Sequence, residues 1–126
     1  MSENNPKAAV AAIFPKPIKI CDGVSVYPLT LAHYALLEQI NSYLVNGDHA
    51  PDALESLKTM FICTHDAKSA MEVFDEIECA AVEWGEQLPP AVTYPIMEAI
   101  KVQIDAMAKV IPQISDEKKK AAETAS

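Results

Sequence analysis

Cysteine, histidine and acidic side chains are the residues of this chain with types that could do chemistry. Cys63 and His65 lie two residues apart, and Asp66 follows directly. A thiolate, an imidazole and a carboxylate are all zinc ligands, so this cluster is the candidate metal site. A tetrahedral site needs further ligands at a workable spacing, and none stands out. We predict no metal, and we expect Cys63 and Cys79 to act as small hydrophobic residues in or near apolar faces.

The remaining polar residues form no recognisable catalytic pattern. The histidines are scattered at His33, His49 and His65, and no serine lies in a GxSxG turn. The chain has 3 glycines, which are too few and too far apart to cradle a phosphate: Gly23, Gly47 and Gly85. Pairs of carboxylates are expected by composition alone, because Asp and Glu number 18. We predict a protein that is not an enzyme, with no catalytic, cofactor-binding or metal-binding residues.

Charge and composition exclude further classes of function. All 10 basic residues are lysines, and with 18 acids the net charge is -8. Without arginine the chain lacks the bidentate group that grips phosphates and guanine edges, so we predict no nucleic-acid binding. The acidic balance also argues against docking on an anionic membrane. The sequence contains no run of about 18 apolar residues, which is the length needed to span a membrane.

Localisation is predicted from the N-terminus and the cysteines. Residues 1–12 contain an acid and an apolar run too short for a signal peptide. The 3 cysteines are an odd number without CxxC spacing, which favours a reducing compartment over a disulfide framework. We therefore expect a cytoplasmic protein.

The period of the hydrophobic pattern changes at Thr30. Before it, Ile18–Ile20 and Val24–Val26 alternate apolar and polar residues around Asp22-Gly23, a favoured pair for a tight turn. This predicts a two-stranded hairpin. After Thr30 the apolar residues recur at helical spacing almost without interruption to Ile111.

Four helices are predicted after the hairpin. Their starts are marked by Thr30, Pro51-Asp52, Asp66 and Thr93, which suit the first turn or the N-cap. Asn46-Gly47, Pro89-Pro90 and Pro112 end the first, third and fourth helices. The predicted helices are Leu31–Val45, a second from Pro51 to about Thr64, Ala67–Leu88, and a fourth from Thr93 to Ile111.

The helical faces predict a single core. Its members are the apolar residues that recur every three or four positions. They are Leu31, Tyr34, Leu37, Ile40, Leu44, Leu54, Leu57, Phe61, Met71, Phe74, Ile77, Trp84, Ile100, Ile104 and Met107.

The expected architecture is mostly α, with an N-terminal β-hairpin followed by a compact bundle of about four helices. Residues 17–112 form this single domain, residues 1–16 a flexible N-terminal arm, and residues 113–126 a disordered tail. Self-association is possible through the free hairpin edge or through docking of Ile13-Phe14 on a neighbouring subunit.

The third predicted helix is strongly acidic. It has one base, Lys68, against seven acids: Asp66, Glu72, Asp75, Glu76, Glu78, Glu83 and Glu86. These acids are either a solvated outer face or a docking strip for a lysine-rich partner helix. Met71, Met97 and Met107 leave open a partner groove as well, because methionine-rich surfaces accept varied apolar helices.

Three segments resemble a known family. Ile20–Gly47 reads ICDGVSVYPLTLAHYALLEQINSYLVNG, Ser56–Thr64 reads SLKTMFICT, and Ala81–Leu88 reads AVEWGEQL. Over residues 17–111 this order of hydrophobic patterns is similar to that of tail assembly chaperones of long-tailed (siphovirus-like) bacteriophages. The matching motifs are hydrophobic patterns, so they assign no partner-binding residues.

The resemblance implies a small helical protein of the host cytoplasm that acts during virion assembly and is absent from the finished particle. Such proteins bind the tape measure protein, keep its apolar helices soluble, and help recruit tail tube subunits. Members are often made in two lengths by ribosomal frameshifting. The Lys118–Lys120 run could be encoded by an A-rich slippery stretch, which would allow a longer product here.

Two other functions are compatible with the same residues. One is a structural part of a particle, such as a head–tail connector or a minor virion protein. The other is a small acidic regulator or inhibitor protein of a mobile element, acting through its acidic face.

Overall fold

The computed structural model describes residues 14–110, which form a β-hairpin followed by five α-helices. The strands are β1 (Ile18–Cys21) and β2 (Val24–Val26), and the helices are α1 (Leu31–Gln39), α2 (Ala53–Cys63), α3 (Ala67–Glu72), α4 (Ile77–Gly85) and α5 (Thr93–Ala108). Short 3-10 turns, Phe74–Glu76 and Pro90–Val92, precede α4 and α5. The predicted fold class, a mostly α protein with an N-terminal hairpin, is confirmed.

The hairpin turns at Asp22-Gly23 as predicted. Gly23 has a φ of 79°, which is unfavourable for residues with a Cβ. The strands pair antiparallel with Ile18 opposite Val26, and a register shift between Lys19 and Cys21 indicates a bulge. Val24 and Val26 are buried, so one face of the hairpin belongs to the core of the helical domain.

Three hydrogen bonds anchor the hairpin and its flanking residues on the helices. The Nε2 of Gln103, in α5, donates to the carbonyl oxygens of Lys16 at 2.8 Å and of Val26 at 3.0 Å. The backbone N–H of Tyr27 donates to the carbonyl oxygen of Cys63, at the end of α2, at 2.9 Å. A two-stranded ribbon is marginal alone, and these bonds with the buried valines stabilise it.

The predicted end of the first helix is wrong. α1 ends at Gln39 and not at Val45, and the left-handed residue is Asn41, with a φ of 54°. The N–H of Asn41 donates to the Glu38 carbonyl at 3.0 Å, and that of Ser42 to the Leu37 carbonyl at 2.9 Å. This is the Schellman arrangement, which asparagine supports because it tolerates the left-handed region.

The third predicted helix is divided. α3 ends at Glu72, and the backbone leaves helical values at Val73 (φ -112°) and Glu76 (φ -122°) before α4 begins. The row of apolar residues that faces the core continues across this break, since Ala70, Ile77 and Ala81 are all buried. Residues 66–88 therefore form two short helices on one side of the domain.

The helix starts agree closely with the sequence. The side chains of Thr30, Asp52 and Asp66 each accept a backbone N–H three residues later and cap α1, α2 and α3. Thr93 is the first residue of α5 and not its cap, since Val92 occupies the cap position without a side-chain bond. α5 ends at Ala108, and Ile111 lies outside the described residues.

The observed core differs from the predicted one in three members. Leu31 is 88% exposed, Met71 61% and Leu54 39%, because all three lie in the first turn of a helix or in the short α3, on the side away from the core. The other predicted members are buried or half-buried. Buried residues that the helical pattern missed include Val24, Val26, Leu29, Leu36 and Ile96.

The predicted terminal segments fall largely outside the described part of the chain. The structure describes residues 14–16 of the N-terminal arm and none of the tail 113–126. Among residues 14–110, no helix has both the length and the apolar character needed to cross a bilayer.

Candidate functional site

The three residues considered as candidate metal ligands have separate structural roles. Cys63 is fully buried, and this burial raises the pKa of its thiol to about 12, so the thiol stays protonated. The Nδ1–H of His65 donates to the Phe61 carbonyl at 2.6 Å. The carboxylate of Asp66 caps α3 by accepting from the N–H and hydroxyl of Ser69. Within residues 14–110, no three His, Cys, Asp or Glu side chains are grouped as metal ligands.

His65 belongs to an aromatic cluster with Phe61 and Trp84. Its ring centroid lies 4.2 Å from that of Phe61 and 6.0 Å from that of Trp84. Phe61 and Trp84 meet edge-to-face at 5.9 Å. These contacts join α2 to α4.

His33 is buried and connects two helix ends. Its Nδ1 accepts from the N–H of Thr30 at 3.2 Å, and its Nε2–H donates to the His65 carbonyl at 2.8 Å. A carbonyl can only accept and an amide N–H can only donate, so the contacts define the neutral Nε2–H tautomer. Desolvation lowers the pKa of His33, which favours the same neutral form.

His49 lies in the loop between α1 and α2, where it contacts two carboxylates. Its Nδ1 is 3.0 Å from Asp48 Oδ1, and its Nε2 is 2.8 Å from Glu55 Oε1. Hydrogen bonds to Asp48 and Glu55 raise the pKa of His49. The other oxygen of Glu55 accepts from the N–H of Tyr43 at 3.0 Å, so the loop is attached to the start of α2.

The acids of residues 66–88 face solvent. Each of the seven acids is exposed, which agrees with the predicted solvated outer face and leaves the docking strip open. In the described part of the chain one of them has an ion pair: Glu78 Oε1 lies 3.6 Å from the Nζ of Lys58. Apart from Asp66, which caps α3, the other acids of this segment are available to a cationic partner.

A groove lies between α2 and α4, and we call it the α2–α4 groove. It is an open depression of about 350 Å³ lined by Leu54, Glu78, Cys79, Val82 and Glu83. Leu54 and Val82 are 39% and 41% exposed, and Cys79 carries an exposed free thiol. The groove thus combines an apolar floor with two acidic residues.

A second, smaller cavity lies below the Pro89-Pro90 turn. Its volume is about 170 Å³, and Leu57, Trp84 and Leu88 contribute to its mainly apolar lining. Gly85 lets α4 approach α2 closely here, because a Cβ at this position would lie 3.0 Å from a Leu57 methyl carbon. No charged side chain lines this cavity, so it offers nothing to orient a polar ligand.

Sequence reasoning identified the acids of the α2–α4 groove but missed its floor. Leu54 was expected in the core, Cys79 in or near an apolar face, and Val82 had no assigned position. A signal was present: Glu78, Cys79, Val82 and Glu83 recur at helical spacing opposite the buried Ile77 and Ala81.

Comparisons of the chain with protein-family models, with curated proteins and with solved structures found no match.

Proposed function

We propose that the protein is a tail assembly chaperone of a long-tailed bacteriophage, which binds the tape measure protein and keeps it soluble in the host cytoplasm. The observation that carries this proposal is the α2–α4 groove, which presents apolar side chains beside acids between two helices. Amphipathic helices of partner proteins bind in apolar grooves of this kind.

The surface chemistry suits a protein that holds another polypeptide. A chaperone must offer apolar contacts while remaining soluble, and the net charge of -8 supports solubility. The α2–α4 groove offers these apolar contacts, with Leu54 at 39% and Val82 at 41% exposed. A long apolar helix of the tape measure protein is the kind of ligand that such surfaces shield.

Co-expression tests this function directly. The tape measure gene from the same phage genome is expressed alone and with this chain, and the soluble tape measure protein is quantified after centrifugation. We expect a severalfold higher soluble fraction and co-purification of the two proteins. An insoluble tape measure protein that is not recovered with the chain would contradict the proposal.

The finished particle distinguishes the chaperone from a structural protein. An assembly factor that also recruits tail tube subunits leaves before maturation, so mass spectrometry of purified virions should detect the tube protein but not this chain. Stoichiometric amounts of the chain in virions would instead favour a minor virion or head–tail connector protein.

A further inference from the structure

We propose that the α2–α4 groove binds a single amphipathic helix whose apolar ridge is flanked by lysine or arginine. This inference deepens the proposed function and rests on it for the identity of the natural partner. The chemistry of the ligand follows from the groove itself.

The floor of the groove selects an apolar ridge. Leu54 from α2 faces Cys79 and Val82 from α4 across an open depression of about 350 Å³. Leu54 and Val82 leave about two-fifths of their surface in water, at 39% and 41% exposed. Covering them with another apolar side chain removes this surface from water and is favourable.

The size of the groove fits a helix. From Glu78 to Glu83, α4 rises by about 7.5 Å, which is roughly one and a half turns. A partner helix presents two apolar side chains four residues apart over about 6 Å, which fits within this length. An extended strand is not favoured, because both walls are helices whose backbone groups are already paired within them.

The acids of the groove, both on α4, select positive charge beside that ridge. Glu83 has no ion pair within residues 14–110, and Glu78 is 66% exposed despite its contact with Lys58. Lys58 itself is only 16% exposed, so it presents little charge to an incoming ligand. Lysine or arginine next to the apolar ridge would therefore meet carboxylates in a favourable, salt-dependent contact.

The test uses a designed helical probe and matched variants. The probe is a fluorescent peptide with leucine along one face and lysine on both flanks, and its control has glutamate in place of lysine. Binding to the full chain is measured by fluorescence anisotropy. We expect the lysine peptide to bind and the glutamate peptide to bind at least tenfold more weakly.

Two pairs of variants locate the binding site. Val82→Ser removes two methyl groups from the apolar floor of the groove. Because these groups no longer contact the ligand, we expect about tenfold weaker binding. Val102→Ser makes the same change on α5, at a site that is also exposed, and should leave binding unchanged. Glu83→Lys should weaken peptide binding and make it less dependent on salt. Glu72→Lys makes the same charge change outside the groove and should have little effect on binding.

The thiol of Cys79 gives a second, positional readout. In a Cys21→Ser chain, Cys79 is the accessible thiol, because Cys63 is buried and its pKa is raised to about 12. Bound lysine peptide should slow maleimide labelling of Cys79 severalfold. Binding without protection of Cys79, or equal losses for Val82→Ser and Val102→Ser, would overturn the assignment of this groove.

Other occupants are excluded by two measurements. Faster labelling of Cys79 after replacing Lys118, Lys119 and Lys120 by glutamine would identify the basic run of the chain itself as the occupant. Slower labelling at higher protein concentration would identify a second copy. Either result would overturn the proposal of a separate partner helix.

The groove and the phage function can fail separately. If the peptide protects Cys79 but the tape measure protein stays insoluble, the groove assignment stands and the proposed function is wrong. If Val82→Ser and Val102→Ser chains keep the tape measure protein equally soluble, the function stands and the groove assignment is wrong.

Discussion

At the scale of single residues, the polar side chains with the most contacts stabilise the fold. His33 joins the start of α1 to the end of α2, Gln103 joins α5 to the hairpin, and Glu55 attaches the α1–α2 loop. The sequence indicated a possible role for His65 in metal binding, but the structure places it against Phe61 and Trp84. Residue type alone could not reveal this, because the partners are the carbonyl and ring of Phe61, one helical turn earlier, and the ring of Trp84 from another helix.

Gln103 should be one of the most sensitive polar positions. Replacing it by methionine leaves the carbonyls of Lys16 and Val26 without their donor, and we expect the free energy of unfolding to fall by about 2–4 kcal/mol in urea titrations. In the described part of the chain its buried Oε1 has no partner, which lowers the expected loss. Gln87→Met, at an exposed site, should change stability by less than about 0.5 kcal/mol; equal effects would contradict the anchoring role.

His33 should make stability depend on pH. Its pKa is lowered on folding by desolvation, so the unfolded chain binds the proton more readily below the ordinary pKa of 6.5. Neutral His33 therefore contributes its full stabilisation above that pH, and this contribution is lost as the pH falls through the folded pKa. His49, with its raised pKa, acts in the opposite sense, stabilising at low pH and losing this as the pH rises through its folded pKa.

The two histidines can be separated by comparing variants. We expect His33→Gln to lose less stability than the parent chain between pH 7 and pH 5 in denaturant titrations, because the buried titrating group is gone. The His49→Gln chain should lose more stability than the parent chain over this range. In the parent chain, protonated His49 forms ion pairs with Asp48 and Glu55 at low pH, and the variant lacks them. An identical pH profile for the parent and His33→Gln would contradict the assigned neutral tautomer.

At the scale of elements, the starts of helices were predictable and some ends were not. Thr30, Asp52 and Asp66 cap helices as the local sequence suggests, because an N-cap bond spans only three residues. The end of α1 depends on long-range packing: Ser42 is fully buried and shares a 2.8 Å hydrogen bond with Thr59 of α2. The break after α3 likewise keeps Ala70 and Ile77 in one core, which no local pattern specifies.

Asn41 offers a test of where α1 ends. Asn41→Val places a β-branched residue in the left-handed region, and we expect it to cost about 1–2 kcal/mol of stability. Asn41→Gly, which suits a φ of 54°, should be neutral within about 0.5 kcal/mol. Urea titration measures both; a harmless Asn41→Val would indicate that the helix continues past this residue.

The orientation of α1 is tested by two leucines. Leu37 is fully buried and Leu31 is 88% exposed, although the sequence predicted both in the core. Leu37→Ala should therefore cost about 2–5 kcal/mol, whereas Leu31→Ala should cost less than about 0.5 kcal/mol. Thermal or urea unfolding decides this, and similar losses at both sites would contradict the orientation described here.

At the scale of the whole molecule, one side of the domain combines acidic and apolar surface. The seven acids of residues 66–88 keep the α3–α4 side hydrated, while Leu54 and Val82 expose apolar surface beside them. The acids were visible in the sequence, but the groove was not, since Leu54 and Val82 come from different helices. Its existence depends on how α2 packs against α4 through Phe61, Trp84 and Gly85.

The central claim, that this groove holds the tape measure protein, is tested most directly by photocrosslinking from Cys79. The chain, with a photoreactive group on Cys79 and Cys21 replaced by serine, is refolded or assembled with the tape measure protein and irradiated, and the products are mapped by mass spectrometry. We predict crosslinks to a helical, lysine-bearing segment of the tape measure protein. Equal or greater yield from a Val102→Cys, Cys79→Ser chain, or no crosslink from Cys79 to a bound tape measure protein, would contradict the account.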